Sequence, residues 1–62
     1  MNQTIITNGS RAAVITQQAG SIWCNLYVNA RNGLENASIC PSRWEGKTMK
    51  GAQNWAAKML GL

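Results

Sequence analysis

Sixty-two residues carry six Lys or Arg, two Glu, no Asp and no His, for a net charge of +4 and a sequence pI near 9.7. That inventory excludes imidazole-based acid–base or nucleophilic catalysis, and two cysteines without a CxxC spacing exclude a disulfide framework or a Cys/His metal site. A chain this short buries only about 60 % of the surface its unfolded form exposes, so one domain over 1–62 with a marginal core is expected.

No apolar leader follows Met1, and no apolar run approaches the roughly 20 residues of a membrane span. The expectation is a cytoplasmic protein with reduced thiols, no membrane association, no metal and no cofactor. The first predicted element is a short strand over about 3–7, around Thr4-Ile5-Ile6-Thr7, closed by the turn dipeptide Asn8-Gly9. A second strand spans 11–18, and a two-residue Ala19-Gly20 loop reverses it.

The third strand, 21–31, has the strongest pattern in the chain. Ile22, Cys24, Leu26 and Val28 alternate with Trp23, Asn25, Tyr27, Asn29 and Arg31, the period of a half-buried strand. It runs into Asn32-Gly33, a dipeptide suited to a two-residue type I′ turn, and a fourth strand is expected over 34–40. Pro41 should end the ladder because it has no amide proton to donate, leaving Trp44 in a loop that plugs the end of the sheet.

From Met49 the period becomes helical. Thr48 can cap the N-terminus of a helix over about 48–60, and Gly61 stands where a C′ glycine ends it. Met49, Ala52, Trp55, Ala56, Met59 and Leu60 form the apolar stripe, with Lys50, Gln53, Asn54 and Lys58 outside. The predicted fold class is α+β: a three- or four-stranded antiparallel meander, then one amphipathic helix packed on one sheet face.

Register assigns the faces. Two-residue loops pair Ile22 with Gln17, Cys24 with Ile15 and Leu26 with Ala13, then Val28 with Ala37 and Leu26 with Ile39. The helix should cover Ala13, Ile15, Ile22, Cys24, Leu26, Val28, Ala37 and Ile39. The other face then holds Val14, Trp23, Asn25, Tyr27, Asn29 and Arg31 with Asn36, Ser38 and Cys40. With Cys24 inward and Cys40 outward, no disulfide is expected.

Two aromatics and a valine ringed by amides suit base stacking, or a protein contact with aromatic anchors and a polar rim. The competing expectation is that the N-terminal segment or the Trp44 loop covers them. The first functional expectation is a small basic non-enzymatic protein contacting nucleic acid. Trp23 and Tyr27 would stack beside Val14, Asn25, Asn29 and Arg31 would hydrogen-bond, and Lys47 and Lys50 would add charge from one end. The alternative is a protein–protein interaction module or homodimer, such as a phage or plasmid accessory protein that inhibits or adapts a larger partner.

Overall fold

Turn residues set the frame of the sheet. Gly9 takes φ 65°, and Ala19 and Gly20 take φ 52° and 80°, so tight two-residue reversals join three consecutive strands. The computed structural model describes residues 2–31 and 33–62. It contains β1 (Asn2–Asn8), β2 (Arg11–Gln18), β3 (Ser21–Val28), a 3-10 turn (Leu34–Asn36), β4 (Ser38–Gly46) and α1 (Met49–Leu60). Four antiparallel strands lie side by side in chain order in one open sheet, and α1 packs on it, an α+β fold.

The β2–β3 register is the one the alternation dictates: Ala13 faces Leu26, Ile15 faces Cys24, and Gln17 faces Ile22. Ala13, Ile15, Ile22, Cys24 and Leu26 form one core with Ala52, Ala56 and Leu60 of α1, and Ile6 of β1 packs against it, while Gln17 stays exposed at the end of β2. Alanines at 13, 52 and 56 are fully buried and let the helix backbone approach the sheet closely. The Thr48 hydroxyl accepts from the Gly51 N–H at 3.2 Å and starts α1. Gly61, at φ 78°, ends it with a Schellman pair of bonds, Leu62 N–H to the Ala57 carbonyl at 2.9 Å and Gly61 N–H to Lys58 at 3.3 Å. Asn8 Nδ2 donates to the Leu60 carbonyl at 2.6 Å, tying that helix end to the first turn.

The β3–β4 pairing departs from expectation. Asn29 sits in the left-handed region at φ 59°, which breaks extended backbone and stops β3 at Val28. The Ala30 N–H turns away to the Ser10 carbonyl at 2.7 Å. Residues 29–37 therefore link the strands; Asn32, half of the expected two-residue turn, lies outside the described residues. Ile39 pairs with Tyr27 and Ser38 with Val28, one position away from the expected Leu26–Ile39 and Val28–Ala37 pairs. A slip of one residue exchanges the two faces of a strand. Ile39 is consequently 60 % exposed on the side away from α1, while Cys40, expected on that side, packs against the core. Ala37 and Asn36 lie outside the strands altogether.

Pro41 does not end the ladder. The pairing shifts between Asn25–Arg43 and Tyr27–Ile39, so Cys40, Pro41 and Ser42 stand opposite Leu26 alone. A bulge on an edge strand leaves the missing Pro amide without consequence. The two extra residues keep the same parity, and Trp44 arrives opposite Cys24 on the helix side. Trp44 is thus a strand residue packed on the core and not a loop plug. A Cβ at Gly46 would come within 2.6 Å of Trp44 Cζ2, and one at Gly51 within 2.8 Å. Both glycines are there to admit the indole between the end of β4 and the first turn of α1.

Candidate functional site: the uncovered sheet face

Alternation places every second residue of each strand on the side away from α1, and the pairing sorts them into three rows. The first row is Gln3, Thr16, Trp23 and Glu45. The second is Ile5, Val14, Asn25 and Arg43, and the third is Thr7, Ala12, Tyr27 and Ile39. Among the described residues no second layer lies over these rows. β1 joins the sheet edge-on and Trp44 belongs to the opposite face, so neither covers Trp23 or Tyr27.

Neighbouring side chains bury what they can. Ala12, Val14 and Thr16 in the central β2 are buried, and Gln3 Nε2 reaches Thr16 Oγ1 at 3.5 Å. Trp23, Asn25 and Tyr27 on β3 are half-buried. The apolar excess lies on the flanks, with Ile5 52 % and Ile39 60 % exposed. The small core shows why this matters: a chain short of burial leaves two isoleucines more than half exposed and two aromatics partly exposed on one face.

The electrostatics of the face are close to neutral. Arg43 Nη2 meets Glu45 Oε1 at 2.8 Å, and these are the only charged residues among the twelve in the rows. An exposed pair of this kind contributes about 0–1 kcal/mol, so its main effect is to cancel charge.

Of the sequence-predicted site residues, Val14, Trp23, Asn25 and Tyr27 come together here. Asn29 and Arg31 fall in the link after β3, both exposed, beyond the Tyr27 end of the face. Lys47 follows β4 at the other end, and Lys50 rides on α1 in the layer behind the sheet. The eight residues of β3 separate the two ends by about 23 Å. The cations are therefore not gathered around the aromatics. Ile5, Ile39, Arg43 and Glu45 were not singled out from the sequence. The alternation of Arg43 and Glu45 about Trp44 was the available signal, hidden by taking Pro41 as a terminus.

Elsewhere the chemistry is sparse. Both thiols are free. Burial pushes the Cys24 thiol up from its ordinary value, favouring the inert protonated form. A cavity of about 250 Å³ opens where the β4 bulge meets the last turn of α1, lined by Arg11, Leu26, Cys40, Ser42, Met59 and Leu60 among others. Among the described residues no three His, Cys, Asp or Glu side chains converge, and no helix is long and apolar enough to cross a membrane. Comparison with protein-family models, with curated proteins and with solved structures finds no match for the chain.

Proposed function

We propose that this chain is a non-enzymatic binding module that docks a protein partner on the uncovered sheet face. The carrying observation is the face itself: half-buried Trp23 and Tyr27, exposed Ile5 and Ile39, and no net charge. Aromatic anchors amid amides and a paired Arg–Glu rim match the anatomy of protein interfaces, where charge is depleted at the centre and polar groups surround it. Trp23 and Tyr27 supply the anchors. Val14 is the floor between them, and Asn25 with Gln3 offers hydrogen bonds.

Nucleic-acid binding is the second reading, and the net charge of +4 supports it. Arg11, Arg31, Lys47, Lys50 and Lys58 are all exposed and outside the Arg43–Glu45 pair. In that reading the aromatics stack bases while cations at the two ends hold phosphates.

Photo-crosslinking separates the two. p-Benzoylphenylalanine replaces Tyr27 in one preparation and Lys58 in another, each irradiated in the cells that make the protein. The protein reading expects a discrete protein adduct from position 27 and none from position 58. A nuclease-sensitive adduct from position 27, with oligonucleotide binding that weakens steeply as salt rises, establishes the second reading. No adduct at position 27 contradicts both.

A further inference from the structure

The two edges of the sheet are built differently. β4 carries Pro41, a bulge, and the charged Arg43 and Glu45, the devices that keep an edge strand from pairing with another chain. β1 has none of them. Its seven residues, Asn-Gln-Thr-Ile-Ile-Thr-Asn, hold no charge and no proline and pair without interruption to β2. All but Ile6 are exposed.

We propose that β1 pairs antiparallel with β1 of a second copy, about a two-fold axis perpendicular to the sheet at Ile5. The hydrogen-bond parity selects this register. Asn8 and Arg11 close a two-residue hairpin and exchange both of their backbone bonds, so Ile6, Thr4 and Asn2 also point their backbone groups at β2. Gln3, Ile5 and Thr7 then present N–H and C=O to the open edge. Centring the axis on Ile5 sets Ile5 against its own copy, and Gln3 against Thr7 of the other chain, twice. Each of these outward residues meets another outward residue, and about six backbone bonds form.

The same register keeps both helices on one side and continues the uncovered face across the axis. Ile5, more than half exposed in one copy, meets its twin in the pair. The occupant is a second copy because the strand is self-complementary under the two-fold and offers no charge to select a different chain. One strand pair is a small interface, so the dimer should form and dissociate readily with concentration. The inference shares Ile5 and Gln3 with the proposed docking face but not its anchors Trp23 and Tyr27, and its readout, the mass of the purified protein alone, is independent of any other partner.

Sedimentation equilibrium over a micromolar-to-millimolar series tests it, with far-UV circular dichroism and thermal melting of each variant as the folding control. The wild-type mass should rise from 6.7 kDa towards twice that value. Ile5→Lys, which brings two ammonium groups together at the axis, should weaken the dimer by at least about tenfold. Gln3→Lys with Thr7→Lys should do the same through exposed positions, and Gln3→Glu with Thr7→Lys should restore or tighten it. A wild-type monomer throughout overturns the proposal. So does a dimer unaffected by these changes, or one lost only when Trp23 and Tyr27 are altered.

Discussion

Replacing a helical glycine by alanine normally stabilises a protein, by about 1 kcal/mol, yet Gly51→Ala should destabilise this one. Gly51 has no positive φ to protect, so space alone decides the sign. An added methyl would meet Trp44 Cζ2 at 2.8 Å and Thr48 Oγ1 at 2.9 Å. The indole is wedged against β4, where Gly46 leaves it equally little room, so it cannot swing away cheaply. Overpacking of this kind costs about 1–3 kcal/mol. Set against the propensity gain, the net loss is about 1 kcal/mol, or about 4–8 °C in Tm for a domain of this size. In a Trp44→Ala background the indole contact is gone and only the Thr48 Oγ1 contact at 2.9 Å remains, so the helix-propensity gain of about 1 kcal/mol should bring Gly51→Ala close to neutral. The coupling, read by urea denaturation of the four proteins in a double-mutant cycle, should be about 1 kcal/mol. A Gly51→Ala variant more stable than wild type in the unaltered background would refute the placement of Trp44.

Leu26→Ala, at the centre of the core and opposite the bulge, should cost about 2–5 kcal/mol, while exposed Lys58→Ala changes stability by less than about 0.5 kcal/mol in the same denaturation assay. Ala19 holds φ 52°, a conformation that strains a residue with a Cβ, and Ala19→Asn should raise the urea midpoint by relieving part of that roughly 1–2 kcal/mol cost. Cys24 has its thiol pKa raised by burial, so its neutral form is favoured in the folded state. Its contribution is full below the unfolded thiol's ordinary value near 9.0 and fades as pH rises through the higher folded value. Stability should therefore fall above that ordinary value more steeply for wild type than for Cys24→Ala, and Cys40 should react with a thiol reagent well before Cys24.

What was legible in the sequence was the part governed by local rules. The alternation of Ile22 to Val28 and the Ala19-Gly20 reversal fix the β2–β3 register, and Thr48 and Gly61 mark the ends of α1. The β3–β4 connection was not legible, because Asn29 adopts a positive φ and β3 ends at Val28, short of the expected strand end at Arg31. That single change exchanged the faces of Ile39 and Cys40. The Pro41 bulge then let β4 run on to Gly46, bringing Arg43 and Glu45 onto the uncovered face. Sequence reasoning found Val14, Trp23, Asn25 and Tyr27 because β2 and β3 are pinned by a two-residue loop. Arg31 lies off the face because β3 ends at Val28, and no local signal tells how far an Asn-rich strand extends.

The most direct measurement asks whether Trp23 and Tyr27 can be removed without loss of the fold but with loss of the partner. Trp23→Thr with Tyr27→Thr keeps strand-compatible side chains while deleting both aromatics. The crosslinking probe is moved to exposed Ile39 on the same face, and urea denaturation is run in parallel. A surface reserved for a partner predicts a cooperative unfolding transition with the protein adduct at Ile39 gone. A double variant that no longer unfolds cooperatively, or one that folds and still forms the adduct, would contradict the account.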